Sequence, residues 1–216
     1  LKGMKEDRNS GQAHTAMTDN PYKIALDVER YEAFTKNAYI FDKEHNGNVA
    51  LILSGSIHNQ DSRQEESEVV TIFYDVKESN VYASLMYETE IGSRHSISTG
   101  LSLNHDRFNQ NGNQERGANP NNWIEKETVP GVYAQYTYNQ DDKLILMGGI
   151  RADHSSLYGT FVTPRAHIKW APNEIVSLRA SAGKGYRTNH VMAEYNNMLA
   201  SNRFLMFDVD KLDQEE

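Results

Sequence analysis

Apolar and polar residues alternate along eight stretches of this chain, and a period of two marks a strand whose faces meet different surroundings. The clearest case is VYAQYTYNQDDKLILMGGIRADH, residues 132–154. Before the polar turn NQDD, one face holds Val132, Ala134, Tyr136 and Tyr138; after it, one face holds Leu144, Leu146, Gly148, Ile150 and Ala152. The opposite face carries Tyr133, Gln135, Thr137 and Asn139, then Met147, Gly149, Arg151 and Asp153. Such a hairpin must set its apolar side against a protein core or against lipid.

The same alternation predicts strands at 27–42, 48–59, 80–90, 95–106, 160–170 and 174–183. Short Gly/Asn/Asp/Pro turns at 43–48, 91–94, 139–142 and 171–173 alternate with longer links at 60–79, 107–128, 154–159 and beyond 184. This order predicts an antiparallel up-and-down sheet with every tight turn at one end. Tyr87, Tyr136, Tyr138 and Trp170 fall on apolar faces close to those turns, as an aromatic girdle at a lipid headgroup rim does.

Composition weighs on the same side. Hydrophobic residues make up 38% of 216 and mean hydropathy is −0.71, poor material for a large soluble core. The apolar faces are built of small and medium residues with aromatics at the rim, and the other faces are polar, as a wet lumen requires. A soluble β-sandwich with inward apolar faces is the competing architecture. A net charge of −8 argues against nucleic acid, which demands a basic surface. With no cysteine, disulfides and thiolate metal sites are excluded. No apolar run approaches the roughly 18 residues of a membrane helix; the longest is LILMGGI. The fold class expected is therefore all-β, a partial antiparallel up-and-down transmembrane β-barrel of about eight strands. Because lipid tolerates no open sheet edge, residues 1–216 are read as the central part of a larger barrel domain.

The run ASAGKGYRTNHVMAEYNNMLA, residues 180–200, resembles the Gly-aromatic-Arg signature of TonB-dependent outer-membrane receptors, with Gly185, Tyr186, Arg187 and the acidic Glu194 in its places. Thr188 and Asn189 stand where that signature has Ala-Pro. Residues 129–174 and the stretch LDVERYEAFTKNAYIFD also resemble the barrel hairpins of these receptors. The resemblance implies a 22-stranded barrel in the bacterial outer membrane, filled by an N-terminal plug domain outside this fragment. It implies outer-membrane lipid, that plug and the TonB complex as partners, with capture and import of a scarce nutrient such as a ferric siderophore or cobalamin. A non-transporting barrel or adhesin scaffold, and a soluble carbohydrate-binding β-sandwich, are the alternative functions.

Candidate residues follow from position. Arg187 and Glu194 are expected to pin a loop to the wall. Arg151, Arg165, Lys169 and Arg179 form a basic lumen wall suited to plug or ligand contacts. His105, Trp123 and His154 fall near the long-loop ends, where extracellular ligand contacts are made. His58, His105 and His154 stand beside Asp61, Asp106 and Asp153, yet without the spacing of a metal site. GKGYRTN lacks P-loop spacing and no G-x-S-x-G elbow occurs, so no catalytic residue and no cofactor is expected.

Overall fold

The computed structural model describes residues 1–11, 22–66, 69–113, 121–173, 175–188 and 190. Among them, nine strands pair with their sequence neighbours in one antiparallel meander. They are β1 (Lys2–Gly11), β2 (Tyr22–Asp42), β3 (Gly47–Glu66), β4 (Val69–Ile91), β5 (His95–Gly112), β6 (Asn121–Gln140), β7 (Leu144–Ser155), β8 (Gly159–Trp170) and β9 (Leu178–Gly183). No described residue is helical. A sandwich needs a second sheet packed on the first, and the described strands form a single sheet.

The expected tight turns gather at one end, but at the other end β7 and β8 are joined through residues 156–158 alone, where a longer link was expected. In the NQDD turn, Asp141 and Asp142 both take positive φ, 51° and 59°, and Lys143 N–H donates to the Gln140 carbonyl at 2.9 Å. Two left-handed central residues make a primed turn, whose twist matches that of the strands it joins. Asn139 Oδ1 accepts the Asp142 amide at 3.0 Å, which steadies a conformation that Asp adopts less readily than Gly.

Two further sequence expectations need correction. A ninth strand, β1, pairs with β2 from Lys2↔Glu32 to Gly11↔Lys23, although its charged sequence shows no apolar alternation. The segment 60–79 is also no long link: β3 runs to Glu66 and β4 starts at Val69, paired almost throughout. At about 3.4 Å per residue, the 23 residues of β4 reach roughly 75 Å, against the ~9–11 residues needed to cross a bilayer core. More than half of that strand stands clear of hydrocarbon. Out there the ladder hydrogen bonds persist, while the contrast between faces that betrays a strand in sequence fades.

Register gathers the apolar residues into rows. Leu51, Leu85, Leu101, Val132, Ala152 and Val162 stand side by side across β3 to β8. All face outward and uncovered: Val132 is 49% exposed, Leu146 40%, Ile168 42% and Leu178 55%. Leucines left bare on one face of a sheet are solvated by acyl chains, not by a protein interior. Near the tight turns the same face carries the stacked Phe41–Tyr87 pair and the rings of His95, Tyr136 and Tyr138, which set the aromatic rim.

From Leu51 to Asp61, about 34 Å along β3, the outer face turns acidic. Asp7, Asp27, Asp61 and Asp75 oppose one another in a single row that continues into Asn111 and Asn122. Arg63 reaches Asp75 from the same face and Lys5 pairs with Glu29 at 2.8 Å. Like charges directly opposite repel, so such a row is tolerable only in water, above the lipid.

Two predictions follow for the full-length protein refolded into lipid vesicles. Leu146→Arg, on the outer face, should cost about 2–4 kcal/mol, whereas Ser98→Lys, on the inner face directly opposite Glu88, should stay within about 0.5 kcal/mol; urea titration reads both, and equal losses would contradict the facing. In the acidic row, Asp61→Asn should stabilise by about 0.2–1 kcal/mol at low salt, a gain that shrinks as added salt screens the row.

Candidate functional site

The inner face of the sheet divides into two parts. Beyond the apolar band, inward residues of β4, β5 and β6 build a packed shelf: Ile72, Tyr74, Val76 and Phe108, with Trp123 against them. Tyr74 and Trp123 rings lie 6.1 Å apart, and the buried Tyr74 hydroxyl donates to Gln110 Oε1 at 2.5 Å. Burying Gln110 among these rings is allowed because its amide oxygen is satisfied. Such packing on a barrel's inner wall is out of place for a plain water-filled channel.

Beside the shelf lies a charged cluster. Arg151 grips Asp153 through Nε and Nη2, both at 2.6 Å, and Nη2 also donates to Ser102 Oγ at 2.7 Å. The Asp153 side chain is 0% exposed, so the two-pronged guanidinium is what allows a carboxylate to sit there. Gly131 opposes Asp153, and a β-carbon at that glycine would collide with the Asp153 carboxylate and the Arg151 guanidinium. Next along the inner face, buried Glu127 accepts the Ser155 hydroxyl at 2.5 Å. These groups hold one another and leave no nucleophile aimed at open space; Ser155 Oγ itself also accepts the amides of Leu157 and Tyr158.

Towards the tight turns the wall of β8 and β9 is basic. Arg165 Nη2 donates to Gln135 Oε1 at 2.6 Å. Lys169 stands directly opposite Arg179 on the same face, an arrangement unfavourable in isolation. The four basic residues singled out in the sequence thus share the inner face, but Arg151 is committed to Asp153 while the others form a patch apart from it.

The remaining candidates scatter. Trp123 belongs to β6 and the inner shelf, not to a loop, because β5 extends to Gly112 and β6 begins at Asn121. His105 and His154 are strand residues on the outer face, where their Nδ1 atoms meet Thr128 and Thr160 Oγ1, each at 2.8 Å. Arg187 is exposed just after β9, and Glu194, its expected partner, lies outside the described residues. Among the described residues, no group of three His, Cys, Asp or Glu comes together as a metal site.

Sequence reasoning missed Glu125, Glu127, Tyr74 and His190. The signal available was a shift of phase in β4: the buried Ile72, Tyr74 and Val76 are even-numbered, whereas the exposed Val81, Leu85 and Tyr87 are odd-numbered. That shift marks the height at which the packed side passes from the inner to the outer face.

A lipid-exposed meander with a polar, partly packed lumen side is what one family model describes: TonB dependent receptor-like, beta-barrel, matching residues 5–206. The chain belongs to that family. No curated protein and no solved structure matches the chain. TonB-dependent receptors are transporters and receptors rather than enzymes, and their barrels reside in the bacterial outer membrane. In this receptor barrel the outward apolar rows are the lipid face, and the shelf and basic patch lie on the opposite face.

For this receptor, Asp153→Ala should destabilise by about 1–3 kcal/mol, because Arg151 loses its only carboxylate in the pair and stays half-buried. Thermal unfolding of the full-length protein in detergent checks it, with Arg165→Ala, whose guanidinium donates to the neutral Gln135, expected within about 0.5 kcal/mol.

Proposed function

We propose that this chain is the central wall of an outer-membrane receptor that captures a ferric siderophore, cobalamin or a similar chelate and imports it with energy from the TonB complex. The observation that carries the reading is the height of β3 to β6 above the apolar band, with an inner face of aromatic and hydrogen-bonding groups. A strand extended that far into water raises a wall around a mouth, where a nutrient is held before passage. Trp123, half-buried at the edge of the shelf, is the proposed ligand contact of that mouth, and a planar indole suits the rigid, partly aromatic body of many metal chelates. His105 and His154, whose rings point outward, are proposed to serve the outer rim instead. Arg187 and Glu194 remain the proposed pin of the loop after β9.

The basic patch of Arg165, Lys169 and Arg179, with Arg151 above it, is proposed to meet acidic residues of the plug domain. A filled lumen needs partners for charges it removes from water, and Lys169 opposite Arg179 invites a carboxylate between them.

Uptake of labelled ferric siderophores and cobalamin by cells with and without a working TonB complex tests the transport reading. One ligand of the panel should accumulate only when TonB is intact; accumulation indifferent to TonB would refute import. Reversing the patch (R165E, K169E and R179E together) should lower uptake roughly tenfold, while the ligand Kd changes by less than about threefold, ~0.7 kcal/mol. Loss of ligand binding to the same degree would assign the patch to the ligand instead.

A further inference from the structure

After Gly183 the chain stops following the edge of β8 and turns across the inner wall. Lys184 N–H still donates to the Pro164 carbonyl at 3.0 Å. The next described residues then cross four strands. Tyr186 lays its ring on Phe161 of β8, centroids 4.1 Å apart, and its hydroxyl stands beside Asp153 of β7. Thr188 stands beside Glu127 of β6. His190 rests on the Phe108 ring of β5 at 4.3 Å, with Nδ1 2.5 Å from Glu125 and Nε2 3.4 Å from Glu127. From β8 to β5 is about 14 Å of sheet at ~4.8 Å per strand, well within the reach of these few residues.

We propose that residues 184–188, with His190, form a latched strap over the inner wall of β5 to β8, His190 being its bolt between Glu125 and Glu127. Closed, it covers Phe108 and Phe161 and the buried carboxylates beside them. Open, it exposes a shelf that is both aromatic and acidic, the surface on which a cationic or ring-bearing group would settle. Strap and entering ligand therefore compete for the same wall, and opening is a step that binding must drive.

The groups around the bolt define how it responds to pH. β6 offers Glu125 and Glu127. β7 offers Asp153, already neutralised by Arg151. β5 offers the uncharged Phe108 ring, with Asp106 held by Asn80 and Asn104 further along the same face. β4 offers Tyr74, bonded to Gln110. Burial opposes a charge on His190, but the hydrogen bonds and negative charge of Glu125 and Glu127 outweigh it and push the imidazole up to about 10. Because the closed-state value lies above the free value of ~6.5, the latch is at full strength below that pH and weakens as pH climbs through about 10. The Tyr186 phenol, raised to about 12 by burial and by Asp153, keeps its proton over that range.

The test uses the full-length receptor in detergent micelles with a nitroxide on Gly185→Cys, where a side chain meets open space. At pH 7 the spectrum should be dominated by an immobilised component. H190A should raise the mobile fraction about tenfold, and E125Q with E127Q should do the same. In the unsubstituted strap the mobile fraction should grow with a midpoint near 10, and in H190A it should not depend on pH there. A strap equally immobile in H190A at pH 7 overturns the proposal; should that variant fail to fold, a spectrum unchanged to pH 11 in the parent overturns it as well. Neither readout involves nutrient or TonB, so it stands or falls apart from the transport reading.

Discussion

A peptide group inside hydrocarbon has no water to bond, so every strand crossing a bilayer must find its hydrogen-bond partners in its neighbours. That requirement orders the rest of this structure. It forces strand to follow strand in an antiparallel meander, with 18 to 20 residue pairs between successive long strands, in register but for shifts at Ile40/Asp42 and Gln64/Glu65. Once the register is held, side chains that lie far apart in sequence become rows. The leucine row from Leu51 to Val162, the aspartate row from Asp7 to Asp75 and the inner basic patch are three consequences of one ladder.

Height along the strands then decides what each row can be. At the level of Leu85 the outside is lipid and the inside is wet, so apolar residues point out. At the level of Tyr74 the outside is water and the inside is packed, so aromatic residues point in and aspartates point out. The phase reversal in β4 is the boundary between these two regimes. The proposed capture of a nutrient draws on the upper regime, where the wall is tall, aromatic and charged, and where the segment after β9 folds back upon it.

Within that upper region, buried charges are kept by being paired. Asp153 is held by the fork of Arg151, and Glu127 by Ser155, Thr188 and His190. The basic residues nearer the tight turns have no such arrangement among themselves: Lys169 simply opposes Arg179. A satisfied cluster above thus contrasts with a patch of like charge below.

Period-two alternation told the strand type, the facing of Val132, Leu146, Ile168 and Leu178, and the end at which the tight turns collect. Each of these is local, set by one strand's two faces or by a few residues of turn chemistry. That Arg151, Arg165, Lys169 and Arg179 share one face of the sheet was legible for the same reason. Strand β1, the continuation of β3 and β4 above the lipid and the strand position of Trp123 were not, because polar pairing leaves no contrast between faces to read. The aspartate row and the meeting of His190 with Glu125 and Glu127 were beyond any local signal. They depend on register between strands and on where a returning segment lands, and only the assembled ladder of backbone hydrogen bonds decides those.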